Sequence, residues 1–175
     1  LMKALSLSER NGWAKFVSMQ NHYNLVYREE EREMIPLCLD QGLGVIPWSP
    51  LARGLLGGKR QRGGHGMSLR DDGDGVLADQ LYDHPADWDV VEATVRVAER
   101  RGVQPAQVAL AWLLSRPAVT APIVGTTKLE QLEAAVGAVD LVLTPEECAE
   151  LERPYQPHPV RGWLDGGLVL TAQKR

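Results

Sequence analysis

The sequence predicts an α/β fold built on a parallel sheet, and three observations carry that expectation. Three short apolar runs, 16–20, 44–48 and 121–125, each end in polar, aromatic or glycine residues. Longer segments with helical spacing and recognisable caps separate them. The order is helix, strand, helix, strand, loop, two helices, strand, two helices, which implies parallel strands joined by right-handed crossovers. Three strands buried on both faces cannot close a barrel, so their open edges need neighbours. The chain opens on Leu1 rather than Met and reaches its first strand after a single helix. It therefore reads as the downstream half of a larger enzyme.

Each element has a local reason. Met2 to Asn11 reads as a helix stopped at Gly12. Phe16 to Gln20 is a strand, apolar at Phe16, Val17 and Met19. Arg28 to Gln41 reads as one helix with Glu29, Glu30, Glu31 and Glu33 early, where the helix dipole favours them. Its inner face offers Met34, Ile35, Cys38 and Leu39, Pro36 should bend it, and Gly42 ends it. Gly44 to Trp48 is the second strand. Residues 60–84, rich in Gly and Asp, form a long loop, a feature usually tied to function or mobility. Asp87 to Arg101 places Trp88, Val91, Val95 and Ala98 on one face before Gly102. Pro105 to Ser115 buries Val108, Ala109, Trp112 and Leu113. Ala121 to Gly125 is the third strand. Thr127 with Glu130, and Thr144 with Pro145 and Glu147, have the spacing of capping boxes.

Composition narrows the function. With 44% hydrophobic residues the chain can bury a sizeable core, and its net charge of −4 opposes broad nucleic-acid binding. No apolar run approaches the roughly 18 residues of a membrane span. Cys38 and Cys148 form no CxxC pair and read as two thiols in a reducing cytoplasm.

The residues able to carry chemistry sit where the strands end. Gln20 offers an amide donor and acceptor suited to a carboxamide ligand, or to a nearby backbone group. Trp48 is a flat stacking platform or a core residue. Pro50 and Gly54 shape a tight loop whose N–H groups could face an anion. Lys59, Arg60, Arg62 and Arg70 make the following loop basic, for a phosphate or simply for solvent. GLLGGK is no P-loop, since Arg53 and Arg60 stand where Gly and Ser or Thr are required. Gly125, Thr126 and Thr127 lead into a helix start, which caps the helix and can also bind phosphate. His22 and Tyr23 lack a partner placed by spacing, so packing, or support from behind the residues that touch a ligand, is the expected role rather than acid–base catalysis. His65, His84 and His158 stand isolated, with no metal-ligand spacing. Arg28 to Glu33 reads as a solvated helix face.

FVSMQNHYNLVYREEEREMIPLC, GVIPWSPLARGLL, QVALAWLL, APIVGTTKLEQLEAA and LERPYQPHPVRG, in order over about residues 1–162, closely resemble the aldo-keto reductase superfamily, most nearly its bacterial NADPH-dependent branch. The resemblance implies the C-terminal portion of a (β/α)8 TIM barrel, about strands 6–8 with their helices, with cofactor across the C-terminal face. By that likeness Gln20 holds the nicotinamide amide and Trp48 stacks on the ring. Ser49, Pro50, Leu51, Gly54 and Lys59 hold the pyrophosphate and ribose, and Arg70 lies near the adenosine. Gly125, Thr127 and Gln131 match positions around the 2′-phosphate and adenine of NADPH. Ala134 and Ala135 stand where an acidic residue and an asparagine are common, which weakens the adenine contacts. The family's catalytic Asp, Tyr, Lys and His would lie upstream of Leu1, so none is assigned here. The expected substrate is a small carbonyl compound. The other reading is a non-catalytic nucleotide-sensing or partner-binding module. The isolated piece should self-associate through its strand edges, and residues 163–175 form a divergent tail.

Overall fold

The computed structural model describes residues 1–58, 81–82 and 84–159. The expected alternation is present. Helix α1 (Met2–Asn11) ends at Gly12, whose left-handed φ of 66° returns its N–H to the carbonyls of Ser8 and Glu9. Strand β1 (Ser18–Met19) pairs in parallel with β2 (Gly44–Val45), with Ser18 opposite Gly44 and Met19 opposite Val45. The same register continues to a bridge between His22 and Trp48.

The third expected strand is displaced. Its bridge to β2 joins Val45 to Val119, two residues before the apolar run begins. Val45 donates to the carbonyl of Ala118 and Thr120 donates back to Val45. Beyond that point the next regular donor would be Pro122, which has no N–H. The bond to the carbonyl of Pro47 comes from Ile123 instead. The prolines thus shorten the regular ladder while leaving the chain extended beside β2. The first strand is also shorter than expected: Phe16 and Val17 are exposed and precede it. Among the described residues, neither outer edge of this sheet has a strand partner.

The single helix expected from Arg28 to Gln41 is two pieces, a 3₁₀ turn over Glu29–Arg32 and helix α2 (Met34–Gln41). The break lies at Glu33 (φ −141°, ψ −54°) rather than at Pro36. Pro36 occupies the third helical position, where its missing N–H has no intrahelical acceptor to lose. Ile35 and Cys38 are buried as expected, whereas Leu39 is exposed. Glu29 is also buried, so this charged run is not a solvated face.

A segment of 3₁₀ turns, Ala52–Gly57, follows β2. Next come α3 (Pro85–Arg101), capped by His84, and α4 (Pro105–Leu114). In α3 the buried face is centred on Val90, Val91, Thr94, Val97 and Ala98, with Trp88 and Val95 at its margin. All four residues expected inside α4 are buried. Helix α5 spans Leu129–Gly137 and α6 spans Pro145–Glu152, the latter with the Thr144–Glu147 capping box intact. Thr127 does not cap α5, which begins two residues later at Leu129; its N-cap is Lys128, whose side chain makes no capping bond. Both cysteines are free thiols.

Trp112 joins these layers. It is fully buried, and its indole N–H donates to Glu152 Oε1 at 2.8 Å. The guanidinium groups of Arg28 and Arg116 lie 5.3 and 4.9 Å from its ring centre. Gly58 sets another close approach, between the end of the 3₁₀ segment and α4. It has φ 73°, and an added Cβ would lie 2.7 Å from Pro105 Cγ. Gly58→Ala should therefore destabilise the chain by about 1–3 kcal/mol, from the left-handed backbone and the clash together. A urea midpoint equal to that of the parent chain would refute this.

Candidate functional site

The site is built from the ends of adjacent parallel strands. Because the register is uniform, the residues that follow the three strands emerge at one end of the sheet. Gln20 follows β1 directly and is exposed. Trp48 follows β2 and stays partly exposed, while Gly125 and Thr127 follow the third strand and are exposed. Gln131, in the first turn of α5, accepts a hydrogen bond from the Thr127 N–H at 3.4 Å. Lys59 and Arg70 fall outside the described residues.

Behind this rim lies an aromatic stack. The His22 imidazole is sandwiched between Tyr27 and Trp48, each ring centre 4.1 Å away and within 16° of parallel. Tyr82 meets its edge, with Oη 2.6 Å from His22 Nε2. Burial drives the His22 pKa down to about 3, helped by Arg53 and His158, so the ring is neutral at physiological pH. Burial likewise pushes the Tyr82 phenol up to about 12. Both faces of the imidazole are covered and neither group titrates near neutrality, so this Tyr–His pair is suited to packing rather than proton transfer. Tyr23 is also buried; its hydroxyl donates to Glu31 Oε1 at 2.6 Å, and its pKa is raised by burial first and by that bond second.

Sequence reasoning missed Asn24. Its side chain is completely buried and closes the turn to Tyr27. Oδ1 accepts from the N–H groups of Val26 and Tyr27, at 3.0 and 2.9 Å, while Nδ2 donates to the carbonyl of Ser49 at 2.9 Å. That last bond reaches the cofactor-loop candidates. Ser49, Ala52 and Arg53 have left-handed φ values of 53°, 48° and 52°, and Gly54 has φ 90°. Such a run of non-glycine residues costs about 1–3 kcal/mol each and persists only when the surroundings hold it. Asn24 and Tyr82, whose Oη lies 3.2 Å from Ser49 Oγ, supply that hold at Ser49. Pro50 is buried and Leu51 partly so. The N–H groups of Ala52, Gly54 and Leu56 already bond to the carbonyls of Ser49 and Leu51, so these three do not face an anion. The spacing Asn-x-x-Tyr, with a polar residue closing a turn after a strand, was the available signal.

His84 and His158, expected to be isolated, come together with Asp87 around the start of α3. Their potential ligand atoms lie within 4.8 Å of one another. The hydrogen bonding favours a clasp over a metal centre. His84 Nδ1 accepts the Ala86 N–H at 3.3 Å, which leaves the proton of a neutral ring on Nε2. His158 Nε2 is 2.8 Å from Asp87 Oδ1. Glu29 completes the clasp by accepting the His158 backbone N–H at 2.7 Å and the Tyr155 hydroxyl at 2.5 Å. These bonds explain why Glu29, in a charged run, is interior: it and Asp87 anchor the segment that follows α6.

A parallel α/β sheet that gathers an amide, an indole and a glycine turn at the C-terminal ends of its strands has the layout of an enzyme ligand site. The chain belongs to the aldo/keto reductase family, whose pattern matches residues 1–155. It is 43% identical over 155 residues to a versiconal hemiacetal acetate reductase of Aspergillus parasiticus, covering 89% of this chain and 45% of that protein. It is 44% identical over 156 residues to a putative aryl-alcohol dehydrogenase of Schizosaccharomyces pombe, with 89% of this chain and 43% of the relative covered. An aldo-keto reductase of Alternaria alternata, AMT2, is also 44% identical, with 89% and 41% covered. The chain thus spans less than half the length of these relatives, which are fungal. The family implies a (β/α)8 barrel fold. Among the described residues no helix is long and apolar enough to cross a membrane.

Proposed function

We propose that this chain is the cofactor-binding portion of an aldo-keto reductase, corresponding to about strands 6–8 of the barrel. The complete protein would reduce an aldehyde or ketone with NADPH in the cytoplasm. The observation that carries this reading is the shared strand end: Gln20, Trp48 and the Gly125 turn follow three neighbouring parallel strands. The groups present fit such a ligand. The exposed Gln20 amide matches a carboxamide, Trp48 keeps indole surface accessible, and Gly125, Thr127 and Gln131 present polar groups without bulky cover. NADPH, when bound, supplies the hydride. Gln20 would orient the carboxamide so that one face of the ring is presented to the substrate. Trp48 would cover the opposite face and exclude water there. Ser49 and Lys59 would hold the diphosphate and ribose, with Pro50, Leu51 and Gly54 shaping the turn that presents them, and Arg70, Thr127 and Gln131 would hold the adenosine end. The proton for the carbonyl oxygen would come from a tyrosine upstream of Leu1, with Asp, Lys and His beside it.

Two measurements test this. The 175-residue chain should bind NADPH, and Trp48→Ala should weaken binding about tenfold, the scale of a lost aromatic stack. The same chain should not oxidise NADPH in the presence of aldehydes, since on this reading the proton donor would lie outside it. Absence of NADPH binding, or turnover matching a full-length reductase, would each reject the reading. The uncovered sheet edges suggest self-association, as do the exposed Phe16, Val17, Leu129, Leu132 and Val136. Sedimentation should then depend on concentration, and a strictly monomeric chain would argue otherwise.

A further inference from the structure

We propose that His22 is a positioning residue for the nicotinamide end of the cofactor: stacked behind Trp48, it fixes the indole plane that the ligand ring meets. The inference rests on the reading above and deepens it at one residue. An indole at a strand end can rotate about two side-chain bonds, and a stacking platform works only if its plane is held. One face of Trp48 is taken by the imidazole at 4.1 Å and 16° from parallel. That leaves the accessible surface to one side. The imidazole is itself immobilised. Tyr27 stacks on its far face at 4.1 Å, and Tyr82 Oη meets Nε2 at 2.6 Å. The backbone locks the pair in step, since His22 and Trp48 are bridge partners in the parallel ladder.

The geometry also says why a flat, neutral ring suits this position. An aliphatic side chain would fill the space without imposing a plane. A cationic ring would be held unsolvated between two aromatic faces, close to a ring that becomes positively charged when hydride leaves it. The buried imidazole avoids both conditions, and its Nε2 still satisfies the buried Tyr82 hydroxyl.

The test compares two substitutions and two probes in the 175-residue chain. His22→Leu removes the flat ring, whereas His22→Phe keeps it and loses the polar contacts of Nε2, to Tyr82 Oη at 2.6 Å and Asn24 Nδ2 at 3.5 Å. The probes are NADPH and adenosine 2′,5′-bisphosphate, which carries the 2′-phosphate but no nicotinamide. NADPH affinity should fall about five- to tenfold in His22→Leu and stay within about twofold of the parent in His22→Phe, the span expected for one aromatic contact. Affinity for the bisphosphate should be equal in all three chains. If His22→Leu binds NADPH as the parent does, the inference is overturned. Equal loss for both probes would also overturn it, because His22 would then merely support the fold. If the parent binds the bisphosphate but gains nothing from the nicotinamide, the Trp48 platform itself fails. If the parent binds neither probe, the cofactor-binding reading falls and takes this inference with it.

Discussion

Trp112→Ala should destabilise the chain by about 3–5 kcal/mol, which is the range for deleting a fully buried tryptophan and leaving its cavity. The reasons for the upper half of that range are specific. The indole touches the Tyr23 ring, with centres 5.5 Å apart, and both Arg28 and Arg116 lie over it. Its N–H satisfies Glu152, the carboxylate that also receives Arg116 at 2.9 Å. Truncation therefore removes packing from the β1 side and from α4 at once, and leaves Glu152 with one donor fewer. Trp112→Phe keeps most of the apolar volume and loses the hydrogen bond, so about 1–2 kcal/mol is expected. Urea denaturation of the three chains provides the measurement. A Trp112→Ala midpoint within experimental error of Trp112→Phe would show that the indole volume is not what holds these layers together.

The second large effect is a pH dependence set by His22. In the unfolded chain its imidazole protonates near pH 6.5, whereas in the fold it does so near 3. Between those values the unfolded state binds the extra proton, so stability must rise with pH across that window. The contribution is complete above about pH 6.5 and is lost progressively as pH falls towards 3. A shift of that size corresponds to several kcal/mol, on the order of 3–5. Glu147 acts in the same direction but lower. Its carboxylate is held down to about 2, first by the hydrogen bond from Arg101, which outweighs the opposing effect of burial, with the Thr144 N–H adding a smaller share, so its contribution is lost only below about pH 4.5. From pH 6.5 to 4.5 the His22 contribution changes while that of Glu147 does not. His22→Phe should flatten the stability profile there. Parallel profiles for the two chains would mean that the imidazole is not held neutral.

These two residues also show how sequence and structure divide the information. Trp112 was legible as interior because a four-residue apolar stripe in a proline-started helix has only one reasonable face. The glycine stops at Gly12, Gly42 and Gly102 were legible too, since a left-handed C-terminal residue is a local requirement that glycine meets most easily. The rim residues Gln20, Trp48 and Gly125 were legible because a parallel strand carries its own direction, so whatever follows it emerges at the same end as its neighbours' sequels. For His22 the sequence offered packing or support behind the site, without the partners that would tell the two apart. Its two stacking partners and Tyr82 arrive from a following turn, from its bridge partner after the next strand and from a position far along the chain, and no spacing rule couples those positions.

Local signals misled where long-range partners outweighed them. The acidic run at Glu29 carries every mark of a solvated helix face, yet Glu29 is interior because Tyr155 and the His158 backbone donate to it from more than a hundred residues away. Thr127 has the spacing of a cap, but the Gln131 side chain reaches its N–H and the helix begins later. Pro47 and Pro122 look like ordinary strand residues, and their missing donors shorten the third strand's ladder. By itself, then, the sequence determined the helices with strong stops, the alternation of helix and strand, the parallel direction and the end at which the site candidates cluster. All of these depend on backbone preferences over a few residues. Only the tertiary structure decided which charges are interior, how His84, Asp87 and His158 meet, and what stands behind the Trp48 indole. Those outcomes depend on burial and pairing between distant segments, and desolvation reverses the preference that the same side chain shows in water.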